Sequence, residues 1–339
     1  MRPTTVLVLA GLAAASAVGA IVVTSGDAAR TTLTAGERLT PGLSDRLTQT
    51  AAVEIATGGQ TIRLRREGEG WVLPDLANYP ARLETVRQLL TGLTTLETIE
   101  PRTRSPELHE RLGLNDPAEG RQGTRVTLRD QGGAIQADIV LGKRRSPPTG
   151  AAAPPAGQEM IYVRRHGDPQ SFLALGRLDV RPQTIEWAER QVADFSLDDL
   201  VRIDLSPGPD LPGYSMTKAQ GTGDLAIEGL PEGKEIRSRF EANAQGRTLE
   251  ALTFEDVRRR PATLPSAHAR GVYRYHSGLA VTVTLFDIDG AHWATLEAEG
   301  TEAATHTTRW QPWMFRLPDW KRDQVTTPLD KLIRDKEGS

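Results

Sequence analysis

Six histidines, His109, His166, His268, His276, His292 and His306, are the side chains best suited to proton transfer or metal ligation. No two stand three or four residues apart, the spacing that puts two ligands on one face of a helix. His109-Glu110 opens like the two-histidine zinc motif, but Gly113 stands where the second His belongs. Asp287-Ile288-Asp289-Gly290 begins like a calcium loop and lacks both the third ligand before the Gly and the closing Glu. Asp-Gly between alternating strands specifies a hairpin turn instead. Gly142-Lys143 lacks the preceding Gly of a phosphate loop, and Arg144 replaces its Ser or Thr. The chain has no Cys, which removes thiolate nucleophiles, thiolate metal sites, disulfides and a lipidated Cys. No Ser elbow and no locally spaced carboxylate pair is present. The expectation is a non-enzymatic protein with no catalytic residues, no cofactor and no metal.

One cluster of another kind stands out. Three of the six Trp, at Trp310, Trp313 and Trp320, crowd together near the C-terminus. Exposed, they would stack on sugars or anchor an interface; buried, they would close the core of a small sheet. They are the candidate interaction residues.

The elements that must position these groups follow from pattern. The chain has 339 residues, enough for about two domains. A net charge of -3, from 41 basic and 44 acidic side chains, argues against a nucleic-acid partner. Residues 6–23 are apolar apart from Ser16 and follow Arg2, so residues 1–26 read as an N-terminal transmembrane anchor, or alternatively a cleaved signal segment. Either reading places the body outside the cytoplasm: periplasmic and held to the inner membrane, or secreted or periplasmic after cleavage. A polar tether over residues 27–50 follows.

A first α+β unit is expected over residues 51–178. Val53-Glu54-Ile55, Ile62-Arg63-Leu64 and Trp71-Val72-Leu73 alternate between Gly turns as a meander. Pro80 then opens a helix with Leu83, Val86, Leu90, Leu93 and Leu96 on one stripe and Asn78 as cap. A short helix capped by Ser105 buries Leu108 and Leu112. Hairpins close at Gly132-Gly133 and at residues 166–169, separated by a Pro/Ala-rich exposed loop over residues 143–158. A linking helix lies in residues 179–196, at 182–190 with Trp187. The second unit, residues 197–339, repeats the plan: Val201, Ile203 and Leu205 match Val53, Ile55 and Thr57 at a spacing of 148, and a helix spans residues 236–252. The hairpin from Val126 to Ala134 aligns without gaps on the one from Val283 to Ala291. The fold class is therefore α+β, two duplicated units of antiparallel meander, hairpins and packed helices behind an anchor.

These residues resemble the bacterial domain of unknown function 4340 family. The likeness runs through Ile62-Arg63-Leu64-Arg65, Trp71-Val72-Leu73, the helix ending at Leu96, Leu112-Gly113-Leu114-Asn115-Asp116-Pro117, Ile139-Val140-Leu141-Gly142, Ile161-Tyr162-Val163-Arg164 and the closing Phe315-Arg316-Leu317-Pro318. Departures are the long Pro/Ala loop and Arg82, where the family usually has Asp. The resemblance implies a membrane-anchored accessory of an ABC transport system similar to the gliding-motility type, and it assigns no catalytic or ligand residue. The expected function is thus an inner-membrane-anchored periplasmic protein that binds a protein partner, such as an ABC transporter permease. The alternatives are a periplasmic glycan- or ligand-binding module and, third, a hydrolase. A partner protein would dock on a flat apolar patch, whereas a glycan would need exposed aromatics lining a groove.

Overall fold

A computed structural model describes residues 35–117, 122–146, 154–219 and 223–336. The expected anchor over residues 1–26 lies outside the described residues. Among the latter, no helix is long and apolar enough to cross a membrane.

The architecture is α+β with antiparallel sheets. The first sheet contains β1 (Thr50–Ala56), β2 (Thr61–Glu67), β3 (Gly70–Leu73), β4 (Tyr79–Pro80), β5 (Glu97–Pro101), β6 (Thr124–Asp130), β7 (Ile135–Arg145), β8 (Glu159–Arg165) and β9 (Ser171–Gly176). Their order is β4-β3-β2-β1-β6-β7-β8-β9-β5. Alternation decides the faces: Val53, Ile55, Ile62 and Leu64 are buried while Glu54, Arg63 and Arg65 are exposed. Helix α1 (Leu83–Thr95) covers the buried face with Val86, Leu89 and Leu93. Pro80 belongs to β4 rather than to this helix, and Asn78 caps nothing: it sits at φ 64° and its side chain accepts from Arg65.

After β9 comes a strand β10 (Gln191–Ala193) that pairs with β15 (Leu252–Thr253), and β14 (Lys234–Ile236) pairs with β21 (Ile333–Asp335). The second sheet contains β11 (Leu200–Ser206), β12 (Tyr214–Lys218), β13 (Leu225–Ile227), β16 (Asp256–Arg259), β17 (Ala269–Tyr275), β18 (Leu279–Ile288), β19 (Ala291–Gly300) and β20 (Trp313–Arg316). Its order, β13-β12-β11-β17-β18-β19-β20-β16, repeats that of the first sheet without the outermost strand. In each sheet the edge strand that follows the helix, β5 or β16, returns to pair with the last strand.

This correspondence corrects two sequence alignments. Val201 is 37 % exposed, whereas Ile203 and Leu205 are buried and pair with Met216 and Tyr214. Val53 and Ile55 pair with Leu64 and Ile62 in the same way, so the register between β1 and β11 is 150 rather than 148. The ungapped match joined the β6–β7 hairpin to β18–β19, yet β6 corresponds by position to β17. The Asp289-Gly290 turn therefore corresponds to the long β7–β8 connection, of which residues 147–153 lie outside the described residues.

Other expectations shift in the same direction. Residues 36–49 are docked, not a tether: Gly36 N–H donates to Thr98 O, Thr98 N–H to Glu37 O and Leu39 N–H to Leu96 O, with Leu39 and Leu43 fully buried. Lys143 and Arg144 of the expected loop lie on β7, where Lys143 Nζ donates to Arg111 O and Arg144 pairs with Glu159. The linking helix is only a 3-10 turn, Thr184–Trp187, fixed by burial of Trp187. Ser105 makes no side-chain cap, Leu108 is exposed, and His109 of α2 (His109–Leu112) is the buried residue. The long helix of residues 236–252 shortens to α3 (Arg239–Gly246), because β14 claims the residues before it. Helices α4 (Ala303–Trp310), α5 (Asp319–Thr326) and α6 (Leu329–Leu332) complete the chain. One hydrophobic cluster runs through both sheets.

Candidate binding groove

The structure separates the three candidate Trp. Trp310, at the end of α4, is 1 % exposed and its Nε1 donates to Val192 O at 3.0 Å. Trp313 on β20 is buried under Arg259, whose guanidinium lies 4.0 Å from the ring centroid. Both belong to the core, which removes them from any stacking surface. Trp320 is 60 % exposed.

Helical spacing explains its exposure. Lys321 and Val325 stand four residues apart and face inward from α5, so the neighbouring Trp320 must project from another side. Opposite it is α3, whose N-terminus is capped by the Ser238 hydroxyl accepting from Glu241 N–H. Ala242 and Gln245 of α3 face the core, and Phe240 points away at 83 % exposure. Gly246 lets the helix settle: a Cβ there would stand 2.4 Å from Leu197 Cδ1. Between α3 and α5 lies a groove of about 710 Å³ lined by Phe240, Asn243, Gln245, Trp320, Lys321 and Gln324, among others.

The floor of the groove is unusual for its buried lysine. Lys321 is 2 % exposed, and its Nζ donates to Glu250 O at 2.6 Å and to Arg247 O. The ammonium also lies 4.6 Å from the Trp320 ring centroid. Burial pushes its pKa down to about 8, a shift partly opposed by Glu250 and Asp194. Arg247 is tied to Glu250 at 2.8 Å. The groove's cations thus have partners inside the protein.

The histidines are distributed elsewhere. His166 lies between two carboxylates, with Nε2 2.7 Å from Asp116 and Nδ1 3.3 Å from Asp138. Arg125 grips Asp138 through Nε and Nη2 at 2.8 and 2.7 Å, and its pKa is raised, chiefly by that hydrogen bond. His268, just before β17, and His292 on β19 share Asp287 of the intervening β18, with ring centroids 6.0 Å apart. His109 Nε2 bonds to Pro169 O, and His306 stacks on Trp310. Among the described residues no group of three or more His, Asp or Glu is arranged to hold a metal ion.

Phe240, Gln245 and Lys321 escaped the sequence reading. Ser238-Arg239-Phe240-Glu241 carries the Ser-x-x-Glu signature of a helix start, which would have moved the helix boundary and shown Phe240 on the outer face.

A family model described as Domain of unknown function (DUF4340) matches residues 71–269, more than half of the chain. The chain belongs to this family. No curated protein and no solved structure matches it. The DUF4340 match runs from β3 into the start of β17 and takes in the α3 wall of the groove, while Trp320 and Lys321 lie beyond it.

Proposed function

We propose that this DUF4340 protein is a non-enzymatic binding protein of the bacterial cell envelope. In this reading residues 1–26 anchor it in the inner membrane, its body is periplasmic, and the α3–α5 groove receives a ligand. The observation that carries the reading is that the two most exposed large apolar side chains among the described residues, Phe240 and Trp320, share one groove. The remaining exposed ones, such as Ile99, Ile135 and Val201, lie on different elements, which favours a lined groove over a flat docking patch. The family resemblance supports a second, compatible role as an accessory of an ABC-type transport system, with the occupant or the body contacting a permease.

Purification of the full-length protein from its native membrane in mild detergent tests the reading, alongside a Phe240→Ser/Trp320→Ser variant. Ligand or protein retained by the wild type and lost from an equally stable variant establishes the groove as the binding surface. Equal retention by both overturns it.

A further inference from the structure

Residues 36–39 run along the outer edge of the first sheet. Gly36 N–H donates to Thr98 O, Leu39 N–H to Leu96 O, and Arg38 bridges Glu97 antiparallel. Thr40 Oγ1 donates to Leu93 O at 2.8 Å, and Leu39 and Leu43 are fully buried. The point at which the chain joins the body is therefore fixed. Antiparallel pairing also fixes its direction: followed back from Leu39 to Gly36, it heads toward the C-terminal end of β5. Beyond that end stands the 3-10 turn Pro106–Leu108, held beside the start of β9 by the bond between His109 Nε2 and Pro169 O.

Nine residues, 27–35, separate residues 1–26 from Gly36. Even fully extended they reach at most about 30 Å. A unit the size of residues 51–178 is roughly 36 Å across. With residues 1–26 in the bilayer, so short a link cannot carry the chain round the body, and the β5 edge has to lie toward the membrane.

What this edge presents suits a lipid surface. Ile99 and Leu108 are 37 % and 39 % exposed. Ile99 is the extra residue of a bulge, since the β5–β9 register steps from Thr98↔Ala174 to Glu100↔Leu173. The charges beside Leu108 cancel, with Arg104 and Arg111 set against Glu107 and Glu110. No net field is left to recruit a charged partner, whereas exposed aliphatic side chains lower their free energy at the headgroup–acyl boundary.

We infer that the β5 edge of the first unit rests on the bilayer surface through Ile99 and Leu108. The inference rests on the anchor reading above and names the face that meets the lipid. The second unit joins through Tyr79 of β4, at the opposite end of the strand order, so Phe240 stands clear of the membrane.

The chain has no Cys, so single cysteines report position cleanly. Ile99→Cys, Leu108→Cys and Phe240→Cys in the full-length protein, each carrying a small fluorophore, are reconstituted in phosphatidylcholine vesicles with and without a headgroup nitroxide lipid. Quenching at positions 99 and 108 should exceed that at 240 about threefold or more. A smaller ratio, in protein that floats with the vesicles, overturns the inference and leaves the anchor standing. Protein that does not float with the vesicles removes the anchor, and the inference with it.

Discussion

The ring of Tyr79 stands edge-on to the ring of Trp313, with centroids 4.8 Å apart and planes at 73°. Tyr79 belongs to the outermost strand of the first sheet and Trp313 to β20 of the second, so one side chain joins the two halves. It also meets Phe254 and Phe315 edge-on, and its hydroxyl donates to Glu189 O at 3.0 Å. Burial raises its pKa well above the ordinary tyrosine value. Tyr79→Ala should cost about 3–5 kcal/mol and Tyr79→Phe only about 1 kcal/mol, read from urea midpoints. A loss below 1 kcal/mol for Tyr79→Ala would mean that the two halves are joined elsewhere.

Gly92 of α1 reverses the usual rule for glycine in a helix. Alanine normally stabilises such a position by about 1 kcal/mol. Here a Cβ would lie 2.3 Å from Arg177 O, a backbone atom that cannot swing aside. Gly92→Ala should therefore lower stability by about 1–3 kcal/mol, measured by thermal or urea unfolding. A gain would show that α1 can lift from the chain at Arg177.

Lys321 gives a pH dependence with a definite sign. Its pKa in the fold, about 8, lies below the ordinary 10.5. Between those values the unfolded chain binds more protons than the folded one, so stability rises with pH. Relative to Lys321→Met, the wild type should gain about 1–3 kcal/mol between pH 7.5 and roughly 10.5. Parallel pH profiles for the two proteins would place the Lys321 ammonium in contact with water.

The Arg125–Asp138 pair is partly buried, with side-chain exposures of 25 % and 13 %. Asp138→Ala leaves the guanidinium without its bidentate acceptor and removes one of the two carboxylates at His166. A cost of about 2–3 kcal/mol is expected, with part recovered in Arg125→Met/Asp138→Ala. A double-mutant cycle in urea measures the recovery, and simple additivity of the single effects would refute coupling.

Trp310 and Trp320 should behave oppositely. Trp310→Ala opens a core cavity and strands Val192 O, at a cost of about 3–5 kcal/mol. Trp320→Ala should change stability by about 0.5 kcal/mol or less, as an exposed site does. Circular dichroism melts of the two variants distinguish core from groove, and matching losses would contradict the placement of Trp320.

What could be read from sequence was local. Gly132-Gly133 and Asp289-Gly290 close their hairpins because turn chemistry acts over a few residues. The α1 stripe is legible for the same reason. Trp310, Trp313 and Trp320 look alike in the sequence; the β10 carbonyl and the Tyr79 ring that cover two of them come from distant segments. The groove was hidden because its walls stand about eighty positions apart in the chain, at Phe240 and Trp320. Docking of residues 36–39 against β5 depends likewise on tertiary pairing.

The return of β5 to β9 bears on the order in which the chain can be assembled. Glu97 pairs with Leu175 and Thr98 with Ala174, so β5 leaves the ribosome long before its partner exists. Until β9 arrives, its pairing groups face water on one side, and residues 36–39 are the strand-like segment already synthesised that can shield the other. The second half repeats the arrangement, with β16 waiting for β20. Each half is a circuit whose first edge closes last. The slow step of folding should be the capture of β9 by β5 and of β20 by β16.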